Sequence, residues 1–381
     1  MTNLPDPSER VAAWRLSTLP FITAHRLRVL LAHGRPSVIV DMLRERVSAP
    51  DPVTARLLSF RPTSAGGRSL AELWSDALHV PVDEHRSPLD VDVRVIGLPG
   101  YPECLALDPS APAVLFSRGD PIALAGRRVA IVGTRNATEH GRGAARRFGH
   151  ELSEAGIGVV SGLARGIDAA AHRGVLESDG AGRPVAVVAS GLDVVYPPEH
   201  EGLWSSVGQR GFLCTESPPG TTPEPFRFPL RNRVIAAMSE IVLVVESRLE
   251  GGSLITVREA LQRGVTVMAV PGATSTRASQ GTNMLIRDGA LVAIETDDVL
   301  AVLGLDHRRA AGRFDPRVPA MGIDGSILAL FDAEPLSLDD VAARARDALG
   351  ASFGATAVSL GRLEAAGWLM CTGGWFERAH A

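Results

Sequence analysis

The densest chemistry in the 381-residue chain lies in Phe226-Arg227-Phe228-Pro229-Leu230-Arg231-Asn232-Arg233, where three arginines fall within seven residues. Pro229 suits the first turn of a helix, which would put Arg231, Asn232 and Arg233 near its positive end. Guanidiniums can hold phosphates while the rings of Phe226 and Phe228 stack bases, the combination a single-strand platform needs. The competing reading is a solvated arginine face above buried phenylalanines. Other small-residue turns on the same expected edge favour the platform. They are Gly133-Thr134-Arg135, Ser161-Gly162 leading to Arg165, Ser190-Gly191 and Gly251-Gly252-Ser253. Small residues let a ligand approach the backbone, and the N–H groups of a following helix attract anions.

Each of these turns ends a short apolar run that must position it. The runs are Val129 to Val132, Ile157 to Val160, Val185 to Val188, Ile241 to Val245 and Val265 to Val270, the last running into Pro271-Gly272. Short β-rich runs alternating with helical stretches indicate α/β architecture: a doubly wound, mostly parallel sheet with its strand-to-helix turns on one edge. A helix is expected from about Thr138 to Ala155, with Ala145, Phe148 and Leu152 on one face. Ser253 is a candidate N-cap for Leu254 to Arg263. Gly141 and Gly143 fall inside a helix and do not form the G-x-G-x-x-G turn, and no acidic residue ends the second strand. Dinucleotide binding is therefore not expected, and no cofactor is. Asp168 and His172, spaced i, i+4, can meet on one helix face. Without a nearby nucleophile they read as a hydrogen bond that fixes the helix start.

Composition narrows the chemistry further. All 39 basic residues are arginine, so a Walker lysine and a Schiff-base lysine are excluded. Phosphate binding would fall to arginine, backbone N–H groups and hydroxyls. The formal charge of −4 rules out a generally basic nucleic-acid protein, so a local cluster is needed. No apolar run approaches the length of a membrane helix, and no secretion signal opens the chain. Cys104, Cys214 and Cys371 are far apart in sequence and fit no metal spacing. A cytoplasmic protein without a metal site or membrane contact is expected.

The ends read as separate modules. Residues 1–90 are expected to form a small helical domain of SAM or helix-hairpin-helix type with a lead-in. Its turn Leu19-Pro20-Phe21-Ile22-Thr23 lacks glycine, which favours packing or partner contact over DNA contact. Residues 91–305 form the sheet domain, and 306–319, rich in Arg, Gly and Pro, a linker. In 320–381, a helix beginning at Ile327-Leu328, a capping box at Ser337 and Asp340, a helix from Thr356 to Ala366 and a Gly373-Gly374 hairpin make a winged-helix-like pattern. Arg362 is the one basic residue of that last helix, so protein contact is expected there rather than duplex reading.

Together these motifs resemble a known family. They are Val132-Gly133-Thr134-Arg135, the stretch Ser161 to His172, Ser190-Gly191-Leu192-Asp193-Val194-Val195-Tyr196-Pro197, Phe228-Pro229-Leu230-Arg231-Asn232-Arg233 and Gly252-Ser253-Leu254-Ile255-Thr256. Their order resembles the DNA-processing protein A family (DprA, or Smf) of bacterial natural transformation, most closely from about 98 to 300. The resemblance implies an extended Rossmann-like domain that binds single-stranded DNA, protects the incoming strand, forms homodimers and helps load the recombinase RecA. It places Gly133, Thr134 and Arg135 in a phosphate pocket, with Arg165, Arg231, Asn232 and Arg233 along the same groove. Ser161, Gly162, Ser190, Gly191, Phe228 and Ser253 complete the candidate set. Two positions depart from the family: Pro198 and Glu199 stand where many members have a lysine after Tyr-Pro, and Glu250-Gly251-Gly252-Ser253 replaces Gly-Ser-Gly-Ser. The alternative is a nucleotide phosphoribohydrolase of the lysine-decarboxylase-like kind, whose loop Pro219-Gly220-Thr221-Thr222-Pro223-Glu224 imitates in part.

Overall fold

Five helices open the chain: α1 (Pro7–Ser17), α2 (Ala24–Leu31), α3 (Pro36–Arg44), α4 (Pro52–Ser59) and α5 (Leu70–His79). Local chemistry sets their starts. Asp6, Thr23, Asp51 and Ser69 each accept a first-turn N–H, and Pro7, Pro36 and Pro52 occupy positions where no N–H is needed. The computed structural model describes residues 4–81, 91–305, 320–331 and 335–378. The expected linker, 306–319, lies outside them.

Strands and helices then alternate: β1 (Asp92–Val95), α6 (Glu103–Ala106), β2 (Val114–Gly119), β3 (Arg128–Val132), α7 (Glu139–Glu154), β4 (Gly158–Ser161), α8 (Ile167–Glu177), β5 (Pro184–Val187), α9 (Glu201–Arg210) and β6 (Phe212–Thr215). They continue through α10 (Arg227–Ala237), β7 (Ile241–Val244), α11 (Ser253–Gln262), β8 (Thr266–Ala269), α12 (Gln280–Arg287), β9 (Leu291–Val292) and α13 (Thr296–Val302). The nine strands form one sheet in the order β1-β2-β6-β5-β4-β3-β7-β8-β9. From β6 to β9 all pairings are parallel, with Val129 of β3 opposite both Val159 and Ile241; β1 and β2 extend the β6 edge antiparallel. Every residue of β3, β4, β5 and β7 is buried. Continuous rather than alternating apolar runs are what a parallel sheet covered on both faces requires.

The first three N-terminal helices and the sheet share one core, in which Leu16, Leu30 and Ile39 join Val93, Phe116 and Trp204. On the same face α8 reaches this core through Leu176, and α7 lies close against α8. A Cβ on Gly149 would press on the Ala171 carbonyl, and one on Gly174 on the Arg146 carbonyl, so each glycine admits the other helix's backbone. Thr138 caps α7 by accepting from Gly141 N. Gly252, not Ser253, takes the N-cap position of α11, which moves Ser253 one residue inside the helix.

Met1–Gly304 and Leu305–Ala381 are separate compact units. In the second, α14 (Gly322–Leu328), β10 (Leu336–Ser337), α15 (Leu338–Leu349), α16 (Phe353–Ala365), β11 (Leu369–Thr372) and β12 (Trp375–Arg378) surround a small core that includes Ile327, Leu360 and Leu369. Ile327 and Leu328 end a helix rather than begin one: the helix starts earlier, after Met321, and its capping carbonyls are taken by the N–H of Ala329. Ser337 and Asp340 make the expected capping box. Gly373 and Gly374 both have positive φ, +61° and +87°, which the tight turn between β11 and β12 requires. No helix among the described residues is long and apolar enough to cross a membrane.

Candidate nucleic-acid interface

Chain direction splits at the middle of the sheet. From β3 the chain turns to α7 and β4 on one side, whereas β7, paired with β3 on the other side, leads to α11 and β8. Where two such loops part they leave a crevice at the carboxyl ends of the strands, the usual ligand position in open α/β sheets. Here it is a cleft of about 760 Å³. Gly133, Thr134, Arg135 and Asn136 wall it after β3; Arg248, Glu250 and Ser253 wall it after β7; Phe228 and Asn232 face it from the first turns of α10.

The loop after β3 is held by a residue the sequence reading passed over. Glu246, buried just beyond β7, accepts Thr134 N–H on its backbone carbonyl at 2.8 Å. Its carboxylate accepts from Thr138 N at 3.0 Å and from the Thr138 hydroxyl at 2.5 Å. Gly141 leaves room for that carboxylate, since a Cβ there would fall inside its contact radius. Gly133 is equally confined: its Cβ would lie 2.5 Å from Ile167 Cγ1 and 2.8 Å from the Glu246 carbonyl. An acidic residue at the end of a strand, with glycine in the helix it faces, is the signal that could have found this brace.

Arg135 is exposed, with its Cζ 4.3 Å from the centre of the Phe228 ring, and Tyr196 lies tilted against Phe228 at 5.6 Å. Arg135 has no carboxylate partner within ion-pair distance among the described residues. It offers a cation beside a partly exposed aromatic ring, the pairing that takes a phosphate on one group and a base on the other.

The other arginines behave differently. Arg231 is 5% exposed. Its Nη1 donates to the Gly162 carbonyl at 2.7 Å and to the Val187 carbonyl, and Nε donates to Asn232 Oδ1 at 3.2 Å. Burial lowers its pKa to about 10, with Asp168 opposing, so it remains a cation under the cleft floor. Arg165 is ion-paired with Glu199, whose pKa that hydrogen bond holds down at about 2. Glu199 thus neutralises Arg165. Arg233 is paired with Glu216 at 2.5 Å and does not line the cleft.

Seven of the expected residues, Gly133, Thr134, Arg135, Phe228, Arg231, Asn232 and Ser253, therefore meet in one cleft. Six do not line it. Besides Arg165 and Arg233, Ser161 is buried and donates to the Ile131 carbonyl at 2.6 Å, while Gly162 serves Arg231. Ser190 donates to the Val194 carbonyl at 2.7 Å, and Gly191 N–H to the Thr221 carbonyl at 2.9 Å. Arg248, Asn136 and Tyr196 are cleft residues that the reading of arginine clusters left out.

The expected hydrogen bond between Asp168 and His172 is absent: among the described residues neither ring nitrogen of His172 has a partner in good hydrogen-bonding geometry, and it is the Ser161 backbone, not Asp168, that lies near enough to act on the ring. Burial drives the His172 pKa down to about 3, and burial raises that of Asp168 against the pull of Arg231. Glu224, the residue on which the hydrolase alternative depends, accepts from Arg227 Nε at 3.2 Å and is not among the cleft residues.

Comparison with known proteins brings the same segments together. A family model described as DNA recombination-mediator protein A matches residues 92–304. The chain is 38% identical over 204 residues to DNA processing protein DprA of Bacillus subtilis (strain 168), covering 53% of this chain and 68% of that protein. It is 35% identical over 285 residues to protein Smf of Escherichia coli (strain K12), covering 73% and 75%. Among solved structures, DprA from Streptococcus pneumoniae superposes with a TM-score of 0.63 at 28% identity, over 78% of this chain and 98% of that one. DprA from Helicobacter pylori, solved for its single-stranded DNA binding mode, gives a TM-score of 0.52 at 25% identity, over 58% and 99%. The matched span takes in both cleft loops and α10, and the chain belongs to the DNA recombination-mediator protein A family.

Proposed function

We propose that the cleft at the sheet's switch point binds single-stranded DNA and that the protein acts, without catalysis, as a recombination mediator. The observation that carries this reading is Arg135, which has no ion-pair partner among the described residues and stacks at 4.3 Å on Phe228 where the β3 and β7 loops part. The reported single-strand binding of the Helicobacter pylori protein supports it. In this reading a phosphate sits against the Gly133–Arg135 loop and an adjacent base stacks on Phe228. Arg231 supports the floor with its charge and does not leave its carbonyl partners.

The wider role extends the same reading: the protein works in the cytoplasm as a homodimer, protects a strand taken up in transformation and passes it to the recombinase RecA. Fluorescence anisotropy with single- and double-stranded oligonucleotides over a salt series tests the binding. Tighter binding of the single strand, lost in Arg135→Ala, is expected; equal affinity for both forms would overturn it. Stimulation of RecA filament growth on the same oligonucleotides, absent for Arg135→Ala, tests the transfer step.

A further inference from the structure

A second cavity, of about 630 Å³, lies against the other side of the start of α10. One wall is the α1–α2 turn, with Thr18, Phe21 and Thr23; the opposite wall includes Ser217, Phe226 and Leu230. Arg231 lines both this cavity and the cleft, so the two are neighbours across α10. Phe228 and Asn232 face the cleft, and Phe226, Arg227 and Leu230 face the second cavity.

The α1–α2 turn is unusual in a way that packing does not explain. Phe21 has φ +60°, a conformation that a side chain with a Cβ rarely adopts, yet it is 42% exposed. The turn is tied down around it: Trp74 Nε1 donates to the Pro20 carbonyl at 2.8 Å, and Arg26 Nη1 donates to the Phe21 carbonyl at 2.6 Å. Strain of this kind persists only where its surroundings hold it, and it gathers at ligand sites. Across the cavity Phe226 is 56% exposed, with the Arg227 guanidinium 5.0 Å from its ring centre. That repeats the Arg135–Phe228 pairing of the cleft two residues further along.

We propose that this cavity is a second base subsite, which takes an unpaired nucleobase of the same strand whose phosphates lie in the cleft. The inference rests on the single-stranded DNA reading of the cleft. A base suits the lining: Phe21, Phe226 and Leu230 meet its faces, the Thr23 hydroxyl can donate to its polar edge, and the Thr18 hydroxyl, which donates to the Arg15 carbonyl, can accept from it. Arg227 at the rim is ion-paired with Glu224 at 3.2 Å and can meet the linking phosphate when that pair opens. The cavity's position across α10 from the cleft makes it the next stop for a strand leaving Phe228. A duplex cannot use it, because its bases are stacked and paired, so the subsite adds discrimination for single strands. The N-terminal helices thereby become part of the DNA site.

The test is affinity for oligothymidylates of increasing length, measured by anisotropy, for Phe21→Asn, Phe226→Ala and Arg135→Ala. Asparagine tolerates positive φ and both phenylalanines are exposed, so neither variant uncovers the core. The wild type should gain affinity once the strand reaches from cleft to cavity. Phe21→Asn and Phe226→Ala should each lose about tenfold on the longer strands and nothing on the shortest. A 2-aminopurine placed at the far position should be quenched in the wild type and regain fluorescence in both variants. If Arg135→Ala weakens binding at every length while both phenylalanine variants match the wild type, the second subsite is wrong and the cleft stands. If Arg135→Ala binds normally at every length, the cleft reading fails and takes the subsite with it.

Discussion

An arginine's pairing, rather than its presence, decides what it can do for a ligand. Arg135, Arg165, Arg231 and Arg233 look equivalent in the sequence, but Arg135 has no ion-pair partner among the described residues, two are neutralised by Glu199 and Glu216, and one is buried on backbone carbonyls. Arg135→Ala should therefore weaken single-strand binding by about tenfold or more, the worth of a charge-assisted contact together with the stack it supports. Arg165→Ala should cost less than about threefold, because an exposed ion pair contributes little either way. Equal losses in titrations of both variants would show that the ion pair opens on binding. The loop itself depends on Glu246. Gly141→Ala would put a methyl group against that carboxylate and push it off the Thr138 N–H. The expected cost is about 1–3 kcal/mol in urea unfolding, with a parallel loss of DNA affinity; a variant of wild-type stability and affinity would show that the brace is dispensable.

At the level of elements, the parallel core was legible because a strand buried on both faces leaves an unbroken run of Val, Ile and Ala, as in β3, β4, β5 and β7. β6 and β9 were not read as strands. Phe212–Thr215 follows α9 with only Gly211 between and carries Phe, Leu, Cys and Thr rather than a run of β-branched residues, and Leu291–Val292 spans only two residues. Likewise, nothing in Arg231 itself announces burial; that follows from Gly162 and Val187 placing two carbonyls beneath it. His172 on α8 extends this buried polar layer, near Asp168, Arg231 and His200. Its folded pKa of about 3 lies below the ordinary value near 6.5, so between those pH values the unfolded chain binds the additional proton. Stability contributed by the neutral ring is therefore present above pH 6.5 and lost as the pH falls towards 3. Asp168, raised by burial, acts in the opposite sense but is common to both proteins in a comparison with His172→Leu. Because neither ring nitrogen has a partner in good hydrogen-bonding geometry among the described residues, leucine should be tolerated at pH 8. Below pH 6.5 the variant should gain on the wild type by up to about 1.4 kcal/mol per pH unit. Parallel stability curves from denaturant unfolding across this range would mean that His172 does not titrate as described.

On the scale of the whole molecule, the charge of −4 and the absence of lysine make salt dependence a direct count of working cations. Four arginines along one groove would give a slope of log affinity against log salt of about −2.8 for a single strand. The structure changes the count. Arg165 and Arg233 are already neutralised, and Arg231, though charged, is held below the surface, which leaves Arg135 and Arg248 as the exposed cleft arginines. For an oligonucleotide short enough to occupy only the cleft, the expected slope is therefore about −1.4. Arg135→Ala should bring it near −0.7, whereas Glu199→Gln, which releases Arg165 outside the cleft, should steepen the slope only for a strand long enough to reach beyond the cleft. A wild-type slope near −2.8 that Glu199→Gln leaves unchanged would mean that the ion pairs open when DNA arrives. The acidic partners would then be gates on the groove rather than fixed subtractions from it. The affinity lost to these pairs at low salt has a compensation. In the proposed reading, a strand held by few counterion-releasing contacts and by stacking on Phe228 would lose less affinity as salt rises, and it would be released without breaking a dense row of phosphate contacts.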